Sequence, residues 1–321
     1  MPPLAGLLVV DISRYLPGAF AGRELRRLGA RVVRVEPPQG DPMRETAPAW
    51  HEALNAGSES VICDLKADPE LGHALCSGAD VVLESFRPGV ASRLGVGPDD
   101  LPDTVVYCSI TGFSTAGPHA QRAGHDLNYL GWAGVLYDTA PAMPPVQVAD
   151  LAAGALGAVT EILGALLERE RTGRGRHVVV SMTHGSHRLA AHRLGGDPLP
   201  RFLTGGLASY RIYATADGRR LTLGALEPKF FRRLCELLGK PELAERQYDA
   251  EAQTEIEAAL AAVFRTRPLA DWLALFDGED VCVGPVATLA EAAAEFGEPA
   301  ADARAPALGE HTEEWRRQLG L

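Results

Sequence analysis

Leu7-Leu8-Val9-Val10-Asp11-Ile12 and Arg31-Val32-Val33-Arg34-Val35-Glu36, separated by the helical spacing of Phe20 to Leu28, decide the fold of this chain. Two short β-rich runs on either side of a helix-length segment make a β–α–β unit, whose strands lie parallel. The same alternation continues outward. Further strands are expected at Ser60 to Leu65, Asp80 to Phe86, Val105 to Ile110 and His177 to Met182, with helices at Pro69 to Leu75 and Leu151 to Glu170. Valine-rich strands of this kind are buried on both faces, and the predicted class is α/β, a doubly wound parallel sheet.

The pattern changes after Met182. Thr183 to Thr204 carries Gly195, Gly196, Pro198 and Pro200 without regular periodicity and reads as a linker. Beyond it, Ser209 to Thr215 and Arg220 to Gly224 flank Ala216-Asp217-Gly218-Arg219, whose Asp-Gly pair signals a hairpin. Helical spacing follows at Lys229 to Leu238, Thr254 to Phe264 and Leu269 to Phe276, with a strand near Val281 to Val286. The expected organisation is a large α/β domain over residues 1–185, rejoined by about 297–321, a linker over 186–206 and a small α+β domain over 207–296. Thr312 to Leu319 is read as a last short helix of the large domain.

The 321 residues are 46% hydrophobic and 23% charged, the balance of a globular protein. No apolar run in the sequence approaches the roughly 20 residues of a membrane span, and the N-terminus lacks the basic and apolar regions of a signal peptide. No membrane partner is therefore expected, and the reading is cytoplasmic. A formal net charge of -11 argues against nucleic acid, which requires a basic face. The five cysteines form no C-x-x-C pair, which fits reduced thiols and no metal site. After Asp11 the turn holds a single glycine, Gly18, where a dinucleotide-binding fingerprint would hold three, and there is no P-loop.

Two side chains suit proton transfer. His125, in Gly124-His125-Asp126-Leu127-Asn128-Tyr129, follows a Gly- and Pro-containing loop at the C-terminal end of a predicted strand, where α/β sheets carry their sites. Asp150 opens the long apolar helix at the natural N-cap position, where backbone N–H groups could also hold an enolate oxygen. An imidazole and a carboxylate on opposite sides of one carbon are what a two-base proton transfer requires. Glu227 precedes the helix that begins at Pro228, and Arg87 and Arg93 suit phosphate binding. By residue type and spacing alone the structural roles are the commoner reading: a loop histidine, a helix cap, solvated arginines.

These segments together resemble the family III CoA-transferase superfamily (CaiB/BaiF type), and within it the α-methylacyl-CoA racemase branch. The matching stretches run from Pro3-Leu4-Ala5-Gly6-Leu7 through Leu28-Gly29-Ala30, Asp64-Leu65-Lys66, Ala79 to Val90, Ser109 to Phe113, Gly124 to Tyr129 and Glu168 to Gly175, to Leu308-Gly309-Glu310-His311-Thr312. The resemblance implies a Rossmann-like large domain and an interlocked homodimer with the site between the large domain of one chain and the small domain of the other. It implies His125 and Asp150 as the acid–base pair acting at Cα of a 2-methylacyl-CoA, with Glu227 supporting the histidine. No prosthetic group is implied; coenzyme A enters as the thioester part of the substrate, on Cys63, Asp64, Leu65, Lys66, Ser85, Phe86, Arg87, Arg93, Gly124, Asp126, Leu127, Asn128 and Tyr129.

The transferases of the superfamily use the aligned aspartate as an acyl-anhydride nucleophile. The alternatives to a racemase are thus a CoA-transferase acting through Asp150 and a non-catalytic thioester-binding protein. Pro37 stands where many racemases place a phosphate-binding arginine, a role for which Arg34 or Arg44 could substitute. Relative to the family the linker is compressed and a segment between Thr288 and Leu308 is missing, so a carrier-protein thioester is an alternative to free CoA.

Overall fold

The computed structural model describes residues 1–196, 203–297 and 303–321. They form two compact units, Met1–His192 with Ala300–Leu321, and Arg193–Pro299.

The first unit is built on six parallel strands, β1 (Leu8–Asp11), β2 (Arg31–Glu36), β3 (Glu59–Ile62), β4 (Val81–Glu84), β5 (Val106–Thr111) and β6 (His177–Ser181). Their order is β3-β2-β1-β4-β5-β6. The chain winds outward from β1 to β3, then returns across β1 to β4, so a crevice opens at the carboxyl ends of β1 and β4. Alternation along the strands divides the core into two layers. Val9, Val32 and Val81 pack with Ala158, Ile162 and Ala165 on one face, while Val10, Val33 and Val82 pack with Leu71 and Leu75 on the other.

The helix after β1 spans Tyr15–Arg27, five residues earlier than its apolar spacing indicates. Pro17 and Gly18 read as a turn in sequence, yet proline is tolerated in the first helical turn. Gly18 is required there because a Cβ would fall 1.6 Å from Ser13 Oγ.

The long apolar segment is one continuous helix over Ala149–Thr172, π-helical at Ala149–Leu156 and α-helical at Gly157–Thr172. By length and composition it could cross a membrane, which corrects the sequence reading that no such run exists. In this fold its Ala158, Ile162 and Ala165 lie in the core with Val106, Ile110 and Val178 of β5 and β6.

Thr183 to Thr204, expected as a linker without regular structure, instead opens with the helix Met182–Ala190 and a 3-10 turn at Ala191–Gly195. Ser181 caps that helix, its Oγ accepting the His184 N–H at 3.2 Å. Apolar periodicity misses it because polar residues fill most of its nine positions. Residues 197–202 of the expected linker lie outside the described residues.

The edge strand β3 is covered by residues 303–321. Ile62 N–H donates to Thr312 Oγ1 at 2.9 Å, Gly309 N–H to Ser60 Oγ at 2.9 Å, and Trp315 Nε1 to Glu59 Oε2 at 2.7 Å. Covering an edge in this way removes a template for pairing with other chains.

The second unit holds the antiparallel sheet β7 (Tyr210–Ala214), β8 (Arg220–Gly224) and β9 (Val283–Pro285). Gly218 adopts φ +75° in the hairpin turn, the left-handed conformation for which glycine is suited. Helices Pro228–Leu237, Gln253–Phe264 and Leu269–Phe276 contribute Phe231, Leu234, Ile256, Leu260, Phe264 and Trp272 to its core.

Candidate active site

A cavity of about 550 Å³ opens at the carboxyl ends of β1, β4 and β5. Its wall is drawn from the turns after those strands (Arg14 and Tyr15; Ser85, Phe86 and Arg87; Gly112 and Phe113), from Arg122 to His125, and from Asn128, Tyr129, Asp150 and Met182. The strand order places it at the topological switch point, where open α/β sheets bind their ligands. His125 and Asp150 share this one cavity.

His125 precedes the helix Asp126–Trp132, and its backbone N–H donates to Asn128 Oδ1 at 3.1 Å. Its imidazole meets the ring of Tyr15 edge to face, with centroids 6.4 Å apart and planes at 89°. Behind it, Tyr129 lies between two glycines. A Cβ at Gly112 would fall 2.5 Å from the Tyr129 ring and one at Gly124 2.7 Å, while the phenol donates to the Gly124 carbonyl. The glycine before His125 is therefore a packing requirement of the tyrosine four residues after it.

Asp150 is not the N-cap that its position suggests. The helical backbone begins two residues earlier, Val148 is the cap residue, and Asp150 lies within the first turn of the π-helical segment. Its backbone N–H is already engaged, donating to Asp126 Oδ1 at 3.0 Å, so that group is not a vacant oxyanion donor. Burial, reinforced by the neighbouring Asp126 carboxylate, raises the Asp150 carboxyl from 3.8 to about 7. A carboxyl with that affinity exchanges protons near neutrality. A π-helical turn is frequent where a fold builds a functional site.

The turn after β4 is held from beneath. Glu84 accepts the Phe86 N–H at 2.6 Å, and burial raises its carboxyl to about 7. Ser85 Oγ accepts the Arg14 N–H at 3.1 Å, tying the turn after β4 to the turn after β1 across the crevice.

A buried ion network fixes the turn after β1. Arg34, 3% exposed, donates through Nη1 to Asp11 at 2.7 Å and through Nη2 to Asp41 at 2.8 Å. Asp41 Oδ2 also accepts the Tyr15 N–H at 3.1 Å, and Arg44 grips Glu36 through Nε and Nη2, each at 2.7 Å. Arg34 and Arg44 are thus committed to carboxylates, and neither replaces a phosphate ligand at Pro37. The cations that line the crevice are Arg14, Arg87 and Arg122.

A second cavity of about 260 Å³ adjoins the first, sharing Arg14 and Phe86 with it. Cys63, Asp64, Leu65 and Lys66 line it, together with Pro37, Pro38 and Gln39. Asp64 Oδ1 accepts the Lys66 N–H at 3.0 Å and shapes the turn, while burial pushes the Cys63 thiol up to about 11 and keeps it protonated.

Of the residues the resemblance points to, Arg93, Asp126 and Leu127 line neither cavity; Asp126 acts from behind, on Asp150. Glu227 lies exposed in the second unit as the cap residue of Pro228–Leu237. Sequence reasoning missed Tyr15 and Arg122 as lining residues. The signal for Tyr15 is its place directly past the first strand, four residues after Asp11; nothing in composition marks Arg122.

The profile of CoA-transferase family III matches residues 4–312. The chain is 35% identical over 309 residues to the α-methylacyl-CoA racemase of Homo sapiens, covering 90% of this chain and 78% of that one. It is 30% identical over 327 residues to the succinyl-CoA:glutarate CoA-transferase of Mus musculus, covering 92% and 74%. A CAIB/BAIF family protein from Brucella suis has a solved structure that superposes with a TM-score of 0.84 at 28% identity, over 99% of both chains. The parallel six-stranded sheet, the crevice at its switch point and the match along nearly the whole sequence agree, and this chain belongs to CoA-transferase family III.

Proposed function

We propose that this protein is an acyl-CoA racemase, which inverts the configuration at the α-carbon of a 2-methyl-branched acyl thioester. The observation that carries the proposal is the presence of His125 and Asp150 in one cavity, the carboxyl raised to about 7. One of the pair removes the α-proton, the thioester carbonyl takes the electron pair as an enolate, and the other returns a proton to the opposite face. For the reverse direction the roles exchange. The adjoining cavity at Cys63 to Lys66 takes the coenzyme A moiety, with Arg14, Arg87 and Lys66 toward its phosphates. The family resemblance implies Glu227 as the support of His125 in an interlocked homodimer. The identity to the human racemase supports this reading.

The second reading is CoA transfer, favoured by the 30% identity to the glutarate transferase. There Asp150 attacks the thioester carbonyl, CoA leaves as the thiolate, and an acyl anhydride forms. Incubation with 2-methylacyl-CoAs in D2O decides between them. Racemisation predicts deuterium at Cα without an acceptor acid, with inversion at Cα abolished by His125→Gln. Transfer predicts no deuterium, an acceptor requirement and a hydroxylamine-sensitive adduct at Asp150.

A further inference from the structure

We propose that Tyr15 is the positioning residue of His125, a device specified by the buried ion network behind it. The inference rests on the racemase reading for its effect on turnover, though not for its geometry.

Tyr15 has φ +65°, in the left-handed region that residues other than glycine rarely occupy. Such a conformation persists only where its surroundings over-determine it, and it concentrates at functional sites. The surroundings here are explicit. Asp41 Oδ2 takes the Tyr15 amide and is itself held by Arg34, whose other nitrogen is bound to Asp11 at the end of β1. Three buried charged groups thereby determine where one exposed aromatic ring stands. That ring does not enter the hydrophobic core; it lines the cavity and stands perpendicular to the imidazole.

His125 is itself exposed, and the Asn128 bond fixes its backbone rather than its ring. An imidazole that transfers a proton to carbon must be presented in one orientation, since a small misplacement lowers turnover steeply. The Tyr15 ring limits the orientations open to it. Because the contact is made by the ring edge and face, Tyr15→Phe preserves the function and removal of the ring does not.

Tyr15→Gly is the informative variant, because glycine accepts φ +65° without strain and the turn is retained. Thermal unfolding of Tyr15→Gly is expected at or above the wild-type temperature. The His125 Hε1 proton resonance, assigned by its loss in His125→Asn, is expected to move in Tyr15→Gly and to stay near its wild-type position in Tyr15→Phe. The kcat for deuterium incorporation is expected to fall about tenfold or more in Tyr15→Gly, with KM within about twofold and with recovery in Tyr15→Phe. An unmoved His125 resonance in Tyr15→Gly overturns the proposal whatever the activity. An unchanged kcat overturns it too, as does a rise in KM alone, which would make Tyr15 a substrate-binding wall. If the wild type incorporates no deuterium, the racemase reading fails, while an unmoved resonance still overturns the positioning role.

Discussion

Replacing Asp150 by asparagine should make the protein more stable, and more so as pH rises. In the folded state the carboxyl is held at about 7, chiefly by burial and then by Asp126, against an ordinary 3.8. The folded protein therefore keeps this proton after the unfolded chain has lost it, and stability falls as pH climbs from about 4 to 7. The full displacement corresponds to about 4 kcal/mol at pH 8, of which about 2 kcal/mol is already present at pH 5. Water reaching the cavity mouth screens part of it, so the pH-dependent part should be about 1–2 kcal/mol. Asparagine fills the same volume without ionising. Thermal unfolding of both proteins at pH 5 and pH 8 isolates the effect, because every other titrating group is common to the two. The advantage of Asp150→Asn should widen by roughly 2–4 °C between those pH values, while inversion at Cα disappears. A constant difference at both pH values would mean that Asp150 ionises normally, and the argument for it as an acid–base group near neutrality would fall.

Three further outcomes follow from the packing. Gly112→Ala places a methyl 2.5 Å from the Tyr129 ring; overpacking of this kind should cost about 1–3 kcal/mol in urea unfolding and lower activity through the displaced wall of the His125 cavity. Arg34→Met leaves Asp11 and Asp41 buried without their counter-charge, and chemical denaturation should register a loss of about 3–5 kcal/mol. Thr312→Val deprives the Ile62 N–H of its acceptor on the edge strand; a loss of about 1–3 kcal/mol is expected, together with faster amide exchange at Ile62.

The strands were legible because nothing but a doubly covered parallel sheet accommodates Val9-Val10, Val32-Val33 and Val81-Val82 as inward residues on both faces. Leu269–Phe276 and Thr312–Leu319 were legible in full. The helix at Tyr15 was hidden by Pro17 and Gly18, each of which signals a turn but here serves a first helical turn packed against Ser13. Arg34 was misread for a more general reason. A charged residue inside a strand looks solvent-facing, and only its partners, 23 and 7 residues away, make it a buried one. His125 and Asp150 were both visible in sequence, but the displacement of Asp150 from the helix cap was not. With it goes the bond from the Asp150 amide to Asp126, a partner 24 residues away that local pattern does not encode.

Edge coverage of β3 has a consequence for how the protein is made. Gly309, Thr312 and Trp315, which finish the border of the first sheet, are translated after the whole of the second unit. On the ribosome the first unit must wait with an open β3 while more than a hundred residues that belong elsewhere are synthesised. The second unit is free to fold during that interval, whereas the unit that carries His125 and Asp150 is sealed only once residues 309–315 have followed it. Nascent chains are therefore exposed to strand-to-strand aggregation over a long window, in which a chaperone that shields the β3 edge would act on this protein.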